Sequence, residues 1–154
     1  MKLSNNLSLA EMTKSSTAQR RGIDNMPTPE HMENMKVLAA KIFQPIREHF
    51  NRPILISSGY RSKALNDAIG GSQTSQHSIG EAIDIDMDGT TLSNTDVFNY
   101  IKDNLDFDQL IWEFGNDEKP DWVHVSYKAN GKQRKSILVA KRINNKTTYQ
   151  NYGG

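Results

Sequence analysis

The sequence predicts an α+β domain with a mostly antiparallel sheet and helices packed on one of its faces. Three observations lead there. One long segment in the first third carries apolar residues at helical spacing. The last third is rich in β-branched and aromatic residues, and helical and strand-like stretches alternate between the two. At 154 residues the chain can bury one real core and is short for two.

The clearest helix is "TPEHMENMKVLAAKIFQPIREHF", residues 28–50. Thr28 suits the N-cap and Pro29 the first turn, while Met35, Leu38, Ala39, Ile42, Ile46 and Phe50 recur on one side. Pro45 falls inside that pattern, lacks an amide hydrogen and should kink or divide the helix. "PILISSG", residues 53–59, reads as a strand running into a turn, and "RSKALNDAIGG" as a short helix closed by Gly70 and Gly71. "SNTDVFNYIKDNL" reads as a helix capped by Ser93 or Asn94, with Val97, Ile101 and Leu105 facing inward. "FDQLIWEF" and "WVHVSYKANGKQRKSILVAK" read as strands. Asn130-Gly131 in the latter signals a tight hairpin turn, so a meander should end the fold. "INNKTTYQNYGG" lacks periodicity. A single domain is therefore drawn over residues 1–143, with 144–154 as a loose tail.

Composition narrows the partners. Nineteen basic and 18 acidic residues leave a formal charge of +1, which gives no field for nucleic acid or an anionic membrane. No apolar run reaches membrane-spanning length, and the N-terminus has no apolar signal segment. A soluble monomer made in the cytoplasm is expected, one that would need another route to leave it. There is no cysteine, so a transition-metal site must use histidine and carboxylate.

The stretch "SQHSIGEAIDIDMDG", residues 75–89, offers two metals. Asp84, Asp86 and Asp88 followed by Gly89 resemble the start of a calcium loop. Such a loop needs Glu at its twelfth position, where this chain has Thr95, and helices on both sides, where "GEAIDI" is strand-like. Zinc fits better. Strand alternation puts Ala82, Asp84 and Asp86 on one face and Ile83, Ile85 and Met87 on the other. By the same rule Val123 and Val125 face the core, and Trp122, His124 and Ser126 face away. Two neighbouring antiparallel strands would then set Asp84 beside His124, and Gly80 would let His77 turn back to close a third corner. Two histidines and one carboxylate, with a fourth position for water, form a catalytic zinc set. Taken singly, His77 and His124 remain open to an ordinary hydrogen-bonded role. His31 and His49 sit in the long helix without a carboxylate at ligand spacing.

Those residues carry a family likeness. "SQHSIGEAID" fits S-x-H-x-x-G-x-A-x-D and "DWVH" fits (E/D)-x-x-H. Together they resemble the D-Ala-D-Ala carboxypeptidase-like zinc peptidases, most of all the phage and prophage branch that includes L-alanyl-D-glutamate endopeptidases. The likeness also takes in "SSGYRS", Leu65-Asn66 and "FDQLIWEF", and spans most of Thr17 to Ser136.

The resemblance implies a hedgehog/DD-peptidase-like fold and one zinc ion on His77, Asp84 and His124. It implies Asp121 as general base, where many relatives carry Glu, and Arg61 facing the substrate carbonyl or carboxylate. Asp121 and His124 are three residues apart, so the chain must still be turning at Asp121 if both are to face one metal. Glu113 is the second candidate base, with an orienting or strand-face role as its other reading. Ser75 is expected to support the His77 loop, and Trp112 and Trp122 to serve as core or cleft wall. The implied substrate is a peptidoglycan stem peptide, with D,D-carboxypeptidase and L-Ala-D-Glu endopeptidase activities both open. Lysis-linked release of an endolysin-like enzyme would suit the missing signal segment. A zinc-stabilised binding module without turnover is the alternative.

Overall fold

The computed structural model describes residues 1–153. Strands β1 (Lys2–Ser4) and β2 (Leu7–Ser8) form a small antiparallel pair, followed by α1 (Leu9–Thr13) and α2 (Ser16–Arg21). Hydrophobic periodicity gave no sign of these short pieces. Helix α3 (Pro29–Leu38) begins as expected, with the Thr28 side chain accepting from the His31 amide. Pro45 divides the helix without breaking it. Ala39–Phe43 form one wide π turn in which the Gln44 amide reaches back to the Ala39 carbonyl, and Pro45 then sits in the first turn of α4 (Gln44–Phe50). Strand β3 (Ile56–Ser58) and helix α5 (Lys63–Ala68) follow. A 3₁₀ turn at Gln76–Ile79 leads to β4 (Ala82–Ile85), then α6 (Asn94–Asn104), whose N-cap is Ser93. Strands β5 (Gln109–Glu113), β6 (Trp122–Ser126), β7 (Ser136–Ile143) and β8 (Lys146–Asn151) complete the chain.

The main sheet runs β3-β4-β6-β5-β7-β8, and every neighbouring pair is antiparallel except β5–β7. This is the expected α+β class. Helices cover one face: Met35, Leu38, Ile42, Val97, Phe98 and Ile101 pack with Ile83, Ile85, Leu110, Trp112, Val123 and Val125. Each fully buried side chain of this size contributes about 1.5–3 kcal/mol. That apolar face therefore fixes which way the sheet turns, and the alternate residues are left to the other face. Among the described residues no helix is long and apolar enough to cross a membrane.

Two expectations are corrected. The hairpin is not at Asn130-Gly131. Neither residue has a positive φ, which a type I′ turn requires, and β6 and β7 are not neighbours because β5 lies between them. Residues 127–135 instead cross over as a loop, closed where the Gln133 side chain bonds both the amide and the carbonyl of Lys128 at 2.8 Å. The hairpin is at Asn144-Asn145, with φ of 53° and 63°, joining β7 to β8. Residues 146–151 of the expected loose tail are thus a paired edge strand; Gly154 lies outside the described residues.

Candidate metal centre

Asp84 and His124 are direct cross-strand partners between β4 and β6, on the sheet face turned away from the helices. His77 arrives from the 3₁₀ turn, where Ser75 Oγ accepts from the His77 amide at 3.2 Å. Gly80 ends that turn with φ 79°. A Cβ there would lie 2.8 Å from the Met35 side chain and closer still to the His31 carbonyl, so only glycine lets the loop press against α3. The three side chains offer ligand atoms within 4.8 Å of one another.

Their hydrogen bonds do not close without a cation or an extra proton. His77 Nδ1 lies 2.8 Å from the Gly59 carbonyl, which can only accept, so Nδ1 carries the hydrogen. In the neutral ring His77 Nε2 is then a bare lone pair, yet it faces Asp84 Oδ1 at 3.2 Å. His124 Nδ1 faces the same oxygen at 3.0 Å, and its Nε2 is buried without a partner. Neither tautomer of His124 satisfies both ring nitrogens. Two ligands each about 2.0–2.1 Å from a tetrahedral ion stand about 3.3–3.4 Å apart, close to the spacing seen. The donor set fits zinc: imidazole nitrogens, one carboxylate and no sulfur. Burial opposes ionisation of Asp84, but the two imidazoles outweigh it and hold the carboxyl far below its usual range.

Gly59 matters as much as the ligands. A Cβ at this position would collide with the Met12 backbone carbonyl, whose oxygen accepts from the Tyr60 amide at 2.7 Å. The close approach of α1 therefore sets the carbonyl that orients His77.

A cleft of about 850 Å³ opens over this group, lined by Arg61, Ser75, His77, Glu113, His124 and Tyr149 among others. Arg61 donates from Nη2 to Ser75 Oγ at 3.2 Å, and its Nε is buried without a partner. Glu113 is 7 % exposed and pairs with Trp122, two residues from His124, so it shares the face of His124. Burial lifts its carboxyl to about 7; the Asp84 charge adds to this and His124 opposes it.

Asp121 lies elsewhere. Its amide donates to the Glu113 carbonyl at 2.9 Å, and the chain still bends at Asp121, one residue before β6 begins. Its exposed side chain lines a neighbouring depression with Trp112, Asn116 and Arg142, which shares Phe114 and Trp122 with the cleft. The chain turns at Asp121 as expected, yet Asp121 lines the neighbouring depression and not the cleft over the metal group. Two further carboxylates line the cleft beside Asp84: Glu113, and Glu81, whose Oε2 accepts from the Ala129 amide at 2.8 Å.

The remaining candidates divide cleanly. Ser75 holds the His77 loop through His77 and Arg61, Trp112 packs edge-on against Phe98 in the core, and Trp122 lines the cleft. His31 bonds the Tyr60 hydroxyl at 2.9 Å and His49 stacks on Tyr100 at 4.0 Å. Asp86 accepts from the Asp88 amide and from Asn94, and Asp88 pairs with Lys119 at 3.1 Å, so both carboxylates tie the turn together. Sequence reasoning missed Leu138, Thr147 and Tyr149, which enter the cleft from β7 and β8.

Fold and site define a class: an α+β protein whose open sheet face carries a His-Asp-His group able to hold a metal ion, beside a buried glutamate. The family model described as Peptidase M15 matches residues 5–126, and the chain belongs to the peptidase M15 family. The protein is therefore a hydrolase of the peptidase kind. The match takes in Arg61, His77, Asp84, Glu113, Asp121 and His124 and stops before β7. No curated relative matches the chain.

Proposed function

We propose that the protein is a zinc-dependent peptidoglycan peptidase that hydrolyses a bond in the stem peptide. The observation that carries the reading is the contact of His77 Nε2 with Asp84 Oδ1 while His77 Nδ1 is committed to Gly59. Membership of the peptidase M15 family supports it, and so do the two motifs around His77 and His124.

His77, Asp84 and His124 would hold the ion. Zinc, when bound, supplies Lewis acidity and makes water acidic near neutral pH. Glu113 accepts the proton of the attacking water and returns it to the leaving amine, a task suited to a carboxyl whose burial favours holding a proton. Arg61, held by Ser75 and lining the cleft, would donate to the carbonyl or carboxylate of the substrate. The low exposure of Glu113 keeps bulk water from competing for that proton.

Purified sacculi provide the test. Incubation should release new peptide termini, seen by mass spectrometry of the muropeptides, and the masses name the bond. A chelator should stop the reaction and added zinc restore it. Bound metal with every muropeptide intact would refute the peptidase reading and leave a zinc-stabilised binding module.

A further inference from the structure

The family match stops at Ser126, but the cleft continues onto β7 and β8. In β5–β7 Glu113 pairs with Ala140, and in β7–β8 Ala140 pairs with Tyr149. Residues in register across a sheet present their side chains to the same face, so Glu113, Ala140 and Tyr149 form one row on the metal-centre face. The row beside it holds Asp84, His124, Ile111 and Leu138. Neighbouring strands lie about 4.8 Å apart, so the backbones of Glu113 and Tyr149 are separated by about 10 Å. Only the methyl group of Ala140 stands between them. Ala140 is fully buried and stands apart from the main core.

We propose that Tyr149 is a catalytic residue whose hydroxyl donates a hydrogen bond to the oxygen that gains charge when the scissile carbonyl is attacked. This rests on the peptidase reading above. The bond made is between the water oxygen and the carbonyl carbon, and the bond broken is carbon–nitrogen. The proton travels through Glu113 to the amine, and Tyr149 keeps its own throughout. Burial, then the Glu113 and Asp84 charges, push the phenol above its ordinary value, so it remains a donor across the neutral range. Tyr149 is 54 % exposed, which leaves its ring free to lean over the cleft mouth.

Tyr149→Phe tests this against Tyr152→Phe, a control whose ring packs near Phe98 and Trp112. Loss of a single donor of this kind lowers kcat by about 10²–10³-fold in enclosed sites, and at this more open position about 10–100-fold is expected. KM should stay within about twofold, and zinc content and Tm should match wild type. A phosphinate stem-peptide analogue should bind about 10–100-fold more weakly to Tyr149→Phe. Wild-type kcat in Tyr149→Phe, or a loss confined to KM, overturns the role while leaving the peptidase reading intact. A wild-type protein that cleaves no muropeptide overturns both.

Discussion

His77 Nε2 stands 3.2 Å from Asp84 Oδ1 while His77 Nδ1 is spent on the Gly59 carbonyl, 2.8 Å away. Two acceptors held face to face in a half-buried site need a cation or a proton between them. Most of the chemistry assigned to this protein descends from that contact.

Metal binding is its first consequence. One zinc per chain is expected in wild type after dialysis, and none in His77→Ala, measured by elemental analysis. Zinc should also raise Tm, since about 100-fold excess over Kd stabilises the folded state by roughly 2.7 kcal/mol. An unchanged Tm with zinc would place the ion elsewhere.

Gly59→Ala tests the support behind His77. The added methyl must displace the Met12 carbonyl or the Gly59 carbonyl itself. Zinc affinity should fall about 10–100-fold, the usual loss when the partner that orients a metal-bound histidine is disturbed. Competition with a chromophoric chelator reads the change directly, alongside Tm.

The Glu113 carboxyl gives a pH signature in the chelated protein. Its value in the fold is about 7, against an ordinary 4.5, so the folded state binds this proton more tightly than the unfolded one. The corresponding stability is fully present below about pH 4.5 and is lost as pH rises to about 7. Urea unfolding should show wild type losing at most about 3 kcal/mol over that window relative to Glu113→Gln. Parallel pH profiles for the two proteins would contradict the burial of an ionisable Glu113.

The β7–β8 turn tests the corrected hairpin. Both Asn144 and Asn145 lie in the left-handed region, where a β-branched residue costs about 1–3 kcal/mol. Asn145→Val should therefore lower unfolding free energy by that order, while Asn145→Gly should be neutral or mildly stabilising. Gly131→Val, at a position whose φ is not positive, should carry no such left-handed penalty.

Much of the site was legible because strand alternation is a local rule. "AIDI" and "WVHV" each alternate apolar and polar residues, which was enough to set Asp84 beside His124. The same rule applied to "QLIWE" puts Gln109, Ile111 and Glu113 on one face, and Ile111 pairs with His124. The signal for Glu113 was thus present, but the spacing of the "DWVH" motif favoured Asp121. Strand neighbours were harder to see. The parallel β5–β7 pairing joins segments separated by a whole strand, and no local pattern announces it. Strand β8 reads "KTTYQN", polar on both faces because it is a mostly exposed edge, so it gave no alternation even with two asparagines marking its turn.

The most direct measurement compares zinc-loaded Glu113→Gln and Asp121→Asn with wild type on purified muropeptides. A general base contributes about 10²–10⁴-fold to rate. Glu113→Gln should lose that factor in kcat while keeping its zinc, and Asp121→Asn should stay within a fewfold of wild type. Full turnover in Glu113→Gln, with the loss appearing in Asp121→Asn, would contradict the account.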